Sequence, residues 1–185
     1  MRIGFGTPKG GSGKSTLSFL TALAFVDIGK SVRLVDHDPQ RHSHGWAKRA
    51  GMPVGEGESD VTVCDFPPTP PGNLGPVLAS SRLDVLVCPC QPFSPEAQSV
   101  KALVASLPSE LKGKARLVFT MLDNTTLSRP EMRKELESIA GIPALKTGIT
   151  RRNCYRVATI HEGWKSLDSA AKAEVHKLVT ELVLK

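Results

Sequence analysis

A chain of 185 residues suits one domain with a sizeable core, and 40% hydrophobic with 23% charged side chains is the make-up of a folded globular protein, not of a disordered or fibrous one. No run approaches the ~20 apolar residues of a membrane span, and the apolar start at 1–6 is too short for a secretory signal, so a cytoplasmic location is expected. The net charge of +6 is lopsided: residues 1–100 hold 9 basic and 9 acidic side chains, residues 101–185 hold 15 and 9. Such asymmetry permits contact with a polyanion and equally fits a solvated surface. Cys64, Cys88, Cys90 and Cys154 are too few and too irregular for a disulfide framework.

Taken in chain order, apolar runs rich in Val, Ile and Leu predict strands at 2–7, 31–35, 60–64, 84–88 and 116–121. Between the first two, residues 15–28 carry Leu17, Leu20, Ala24 and Ile28 at helical spacing and stop at Gly29, a natural terminator. Further helices are predicted at 40–50, 73–81, 95–107 and 130–140. The proline-rich segment 66–72 cannot be strand or mid-helix and reads as a loop after the third strand. Residues 167–184 form a last helix with Leu167, Ala171, Val175, Leu178 and Leu182 on one stripe. That stripe lacks Trp and Phe, and Glu174 and Glu181 interrupt the basic face, so packing on the domain is expected in preference to a membrane surface. The alternation gives a single α/β domain over 1–185, a mostly parallel open sheet with helices on both faces, with ligands bound beyond the carboxyl ends of the strands.

Behind the first strand lies Pro8-Lys9-Gly10-Gly11-Ser12-Gly13-Lys14-Ser15-Thr16. Glycines leading into a helix start turn several backbone N–H groups to one spot, where the helix dipole adds roughly half a positive charge; that spot suits phosphate. Lys14 would reach the β and γ phosphates, the Ser15 hydroxyl would coordinate Mg²⁺, and Thr16 would help lower in the site. A match to K-G-G-x-G-K-[ST] has a chance of about 10⁻⁷ per position at average residue frequencies, and its place after a strand and before a helix is the context such a loop needs. Pro8 stands where the usual loop has its first glycine, and Lys9 is an additional lysine.

With Lys9 in that place, the sequence resembles the deviant Walker ATPases of the ParA/MinD family, which carry a P-loop NTPase fold, and within it the small ParF-like partition ATPases. Leu34-Val35-Asp36-His37-Asp38-Pro39-Gln40 is similar to the family's D-x-D-P-Q element, and Val61-Thr62-Val63-Cys64-Asp65-Phe66-Pro67-Pro68 to its Walker B strand and switch loop. The stretch from Thr147 to Tyr155, running on to Gly163, is similar to the C-terminal part of the small partition proteins. The resemblance implies binding of ATP by Lys9, Gly10, Gly11, Ser12, Gly13, Lys14, Ser15 and Thr16, with Mg²⁺ held by Ser15, Asp65 and Asp36. Lys9, Lys14, Asp38 and Asp36 would be catalytic, Lys9 by crossing to the nucleotide of a second copy. Two aspartates at a strand end could alternatively cap the helix at 40–50.

The resemblance also implies an ATP-dependent homodimer that binds nonspecific double-stranded DNA. An adaptor protein would stimulate hydrolysis, and a cargo such as a plasmid, chromosome or carboxysome would be positioned along the nucleoid without stable membrane association. Arg129, Arg133, Arg151, Arg152, Arg156 and Lys165 are the candidate DNA contacts. Three other readings stay open: a MinD-like membrane-associated regulator, a P-loop metabolic kinase or synthetase, and an iron–sulfur carrier using Cys88-Pro89-Cys90. No N-R or N-K-x-D element marks a base reader; Asn124 and the loop 146–150 are the candidates.

Overall fold

The computed structural model describes residues 1–123, 130–161 and 163–184. Each of the five apolar runs forms a strand: β1 (Arg2–Phe5), β2 (Val32–Asp36), β3 (Val61–Asp65), β4 (Val85–Cys90) and β5 (Ala115–Phe119). They pair in the order β2-β3-β1-β4-β5, every pair parallel. Parallel strands buried on both faces need no polar alternation, and their side chains divide by parity between two cores. Ile3, Phe5, Val63, Val87 and Val118 enter one, whereas Cys64, Leu86, Cys88, Leu117 and Phe119 enter the other.

Helices α1 (Lys14–Asp27) and α2 (His42–Arg49) cover the first face with α7 (Asn153–Ile160) and α8 (Ser169–Val183). The second is covered by α3 (Pro71–Ser80), α4 (Ser94–Ser106), α5 (Ser109–Lys114) and α6 (Pro130–Ala140). The expected fold class is thus found. Helix α3 starts two residues before the predicted helix because Pro71, read as loop, occupies a first-turn position where its fixed φ helps and its missing N–H is not needed. Among the described residues three elements were not foreseen, α5, α7 and a 3-10 turn at Gly163–Ser166, each short enough that no helical period stands out.

Pro89 lies inside β4, a strand with neighbours on both sides. It is tolerated because β1 has already ended: the β1–β4 register stops at Phe5↔Val87, so the nitrogen of Pro89 faces no strand. The chain leaves β1 for one side of the sheet and β4 for the other. The crevice between them is the topological switch point, where such folds bind ligands.

The predicted stripe on the last helix is buried as expected, with Ala171, Val175, Leu178 and Leu182 each at 0% exposure, in one core with Leu17, Leu20 and Ala24 of α1. Among the described residues no helix is long and apolar enough to cross a membrane. Replacing Leu178→Ala removes a fully buried side chain between α8 and α1; urea unfolding is expected to show a loss of about 2–5 kcal/mol.

Candidate functional site

The loops that follow all five strands gather at one edge of the sheet. The loop after β1 turns on Gly11 at φ 77° and Gly13 at φ 89°, left-handed values that a Cβ would strain, and Gly13 caps α1 with its carbonyl accepting Leu17 N–H at 2.8 Å. Neighbouring strands brace it. Gln91 Nε2, just past β4, donates to the Gly11 carbonyl at 3.0 Å, and Thr120 Oγ1, just past β5, donates to the Ser12 carbonyl at 2.9 Å. Lys14 is 6% exposed, and its Nζ donates to the Lys9 carbonyl at 2.6 Å. Burial lowers its pKa, while Asp65, Asp38 and Glu96 oppose the shift. Gly10, Gly11, Gly13, Lys14, Ser15 and Thr16 form one wall of a cavity of about 430 Å³, facing Asp38, Gln40 and Pro68.

The three aspartates have different surroundings. Asp36 is buried, and its two oxygens accept Asp38 N–H at 2.9 Å and His44 N–H at 3.0 Å. It therefore caps the first turn of α2 from a distance, the alternative reading realised by one of the two residues. Asp38 accepts Gln40 N–H at 2.9 Å and borders the phosphate cavity, which Asp36 does not. His37 stacks on Phe66 with centroids 4.6 Å apart, tying the loop after β2 to the loop after β3. Asp65 is 1% exposed, and both its oxygens, like the buried Ser43 hydroxyl, lack a hydrogen-bond partner of normal geometry. Burial pushes its carboxyl up to about 7; Ser15, Ser43 and Lys14 favour the charged form, and Asp36 opposes it.

An orphaned carboxylate beside a serine hydroxyl at the foot of a phosphate loop fits Mg²⁺, which takes one or two protein oxygens and fills the rest of its shell with water and phosphate. Among the described residues no cluster of three or more His, Cys, Asp or Glu side chains could hold a metal alone. Cys64, Cys88 and Cys90 are buried in the second core, where burial raises each thiol to about 12.

A smaller cavity of about 180 Å³ adjoins the first, sharing Gly13, Thr16 and Met121 with it. At less than the roughly 300 Å³ of a self-sufficient small-molecule site, it is an annex. Its outer wall is Ile149, Thr150, Arg151, Arg152, Tyr155 and Arg156. Part of the loop 146–150 thus stands beside the phosphate cavity, while Asn124 lies outside the described residues.

Lys9 does not line the phosphate cavity of its own chain; its side chain is 44% exposed and its ammonium pairs with Glu96 on α4 at 3.3 Å. Of the basic candidates, Arg133 lies over the Phe119 ring and donates to the Leu145 and Lys146 carbonyls, each at 3.0 Å. Arg152 pairs with Glu174 at 3.7 Å. Arg151, Arg156 and Lys165 are exposed, and Arg129 lies outside the described residues. Sequence reasoning missed Gln91, Thr120 and Met121, whose place at the site comes from standing at strand ends and from no motif. Met121 is held at φ 55°, a left-handed conformation unusual for its residue type.

The raised Asp65 pKa has a consequence for ligand-free protein. The unfolded chain releases this proton near pH 4 and the folded chain keeps it until about 7, so stability falls as pH rises across that window and levels off above it. Asp65→Asn is expected to remove that slope, of the order of a few kcal/mol, in urea unfolding at pH 5 and pH 8 with EDTA present. Identical slopes for the parent and the variant would contradict this account.

No curated protein sequence matches the chain. Its fold is similar to MinD cell division protein of Aquifex aeolicus (TM-score 0.73, 17% identity, covering 100% of this chain and 97% of that one). It is also similar to a ParA family ATPase of Chlorobium tepidum TLS (0.69, 15%, 99% and 98%) and to a McdA variant of Cyanothece in complex with ATP (0.68, 11%, 98% and 95%). Residues 3–161, from within β1 through the phosphate loop to the end of α7, match the sequence pattern of one family, and with that match the chain belongs to the CobQ/CobB/MinD/ParA nucleotide binding domain family.

Proposed function

We propose that this chain is a slow, Mg²⁺-dependent ATPase that dimerises on ATP, binds DNA without sequence preference and positions a cargo through an adaptor that stimulates hydrolysis. The observation that carries the reading is the split use of Lys9. Its carbonyl holds Lys14 inside the loop, while its ammonium stands outside its own phosphate cavity in a half-exposed pair with Glu96. A cation so placed is available to the phosphates of a second copy, where it offsets the repulsion of two like-charged ligands. A metabolic kinase or synthetase has no use for it.

Within one site, Lys14 exchanges the Lys9 carbonyl for the β and γ phosphates, and the loop N–H groups hold the rest of the polyphosphate. Ser15 and Asp65 hold Mg²⁺, which when bound neutralises charge on the transferring phosphoryl group. Asp38, bordering the cavity, orients the attacking water. Asp36 fixes the Asp38 loop through the amides of Asp38 and His44.

Light scattering on the size-fractionated protein with a non-hydrolysable ATP analogue tests this. The unmodified chain is expected to be a dimer, Lys9→Ala a nucleotide-bound monomer, and Lys14→Ala a monomer without nucleotide. Glu96→Gln frees Lys9 from a partly exposed pair worth up to ~1 kcal/mol in each subunit, so the dimer, which breaks two such pairs, is expected to tighten by up to about thirtyfold. A monomer with analogue bound would remove the proposal.

For DNA, Arg151, Arg156 and Lys165 are the candidates with exposed side chains, the first two also bordering the smaller cavity, and the adaptor and cargo follow from the family resemblance. With ~3 phosphate contacts per subunit, log K against log salt is expected to fall with a slope of about −5 for the dimer. A flat salt dependence contradicts the DNA part alone.

A further inference from the structure

Segment 146–152, which contributes Ile149, Thr150, Arg151 and Arg152 to the smaller cavity, is gripped from two sides. On one side it continues the sheet: Ile149 N–H donates to the Phe119 carbonyl at 2.8 Å, Leu122 N–H to the Ile149 carbonyl at 3.0 Å, and Arg151 N–H to the Leu122 carbonyl at 2.9 Å. Gly148 presses so close that a Cβ there would fall 2.3 Å from Leu122 Cδ1. On the other side stand two carboxylates of α8, seven residues apart and so on one face of the helix.

Glu174 accepts Thr150 N–H at 3.1 Å, the Thr150 hydroxyl at 3.0 Å and the Tyr155 hydroxyl, and it pairs with Arg152. Its side chain is 13% exposed. Glu181 accepts Lys146 N–H and Thr147 N–H, each at 2.7 Å, and the Thr147 hydroxyl. An anion withdrawn from water must be met by several donors, and here the donors are drawn from the segment that forms the cavity wall. Tyr155, Thr150 and Arg152 each touch Glu174 and also line the cavity.

We propose that Glu174 and Glu181 are positioning residues for base recognition: α8 sets the distance between the 146–152 wall and the phosphate loop, and with it the fit of the nucleoside half of the ligand. This rests on the nucleotide reading of the two adjoining cavities. Neither carboxylate lines the phosphate cavity, so truncating either one removes no group from its wall.

The test compares dissociation constants of Mg·ATP and of inorganic tripolyphosphate with Mg²⁺. The unmodified chain is expected to prefer ATP. Glu174→Ala is expected to erode that preference about tenfold, the scale of one charged hydrogen bond, with tripolyphosphate affinity within about twofold of the parent. Glu174→Gln, which keeps one acceptor oxygen, is expected to lose a few-fold, and Glu181→Ala to act in the same direction. Thermal melts identify any variant that fails to fold, and the remaining two then decide. A parallel loss for both ligands, or an unchanged preference, overturns the inference and leaves the ATPase reading standing. An unmodified chain that binds tripolyphosphate and ATP equally removes the base subsite. One that binds neither removes the nucleotide reading itself.

Discussion

Asp65 is an ionisable group at the end of the central-sheet strand β3, 1% exposed, with no hydrogen bond of normal geometry to either oxygen. Left so, it costs the fold energy, and its neighbours are arranged around that cost without removing it. Lys14 compensates from across the phosphate loop, Asp36 worsens matters from the adjacent strand, and Ser15 and Ser43 come near without satisfying it. Satisfying a buried carboxylate of this kind takes a proton or a cation. The fold therefore carries a deficit of the kind that a bound cation would relieve, as at sites where stability is traded for ligand binding.

The parallel sheet makes that arrangement possible. Because every strand runs the same way, every following loop opens at one edge, and groups distant in sequence become neighbours. Gln91 and Thr120 reach back from β4 and β5 to the carbonyls of Gly11 and Ser12, so the glycine loop, flexible by composition, is held in one shape by its surroundings. The rigidity belongs to the assembly and not to the loop itself. The same geometry lets Lys9 serve two directions, its backbone turned to the inside of the loop and its ammonium to the outside.

How much of this was legible in the sequence follows from the range of the forces involved. Each strand was visible as a Val, Ile and Leu run, and the phosphate loop as glycines at fixed offsets, because both signals are local. Strand ends were misplaced by a few residues: Asp36 and Asp65 closed strands that the hydrophobic pattern stopped one residue short. The stripe on α8 was readable from its period. Its glutamates were read as breaks in a polar face, because nothing within a turn of Glu174 hints that Thr150 and Tyr155, 24 and 19 residues earlier, will meet it. Likewise the sequence offers Arg133 as a candidate DNA contact, whereas in the fold Phe119 and two carbonyls hold it. Apart from strand ends and the short helices, what remained hidden was mostly a side chain whose partner lies on another element.

Glu181 sits in the closing turn of α8, just before Val183 and the 80%-exposed Leu184. Helix termini open and close locally at free energies far below that of global unfolding. Here, though, Leu182 beside Glu181 is fully buried, so this terminus is held by the core. The 146–152 wall is therefore tied to one helix at two heights two turns apart, Lys146 and Thr147 to Glu181 and Thr150 to Glu174, and any shift of α8 along its axis carries both ends of the wall together.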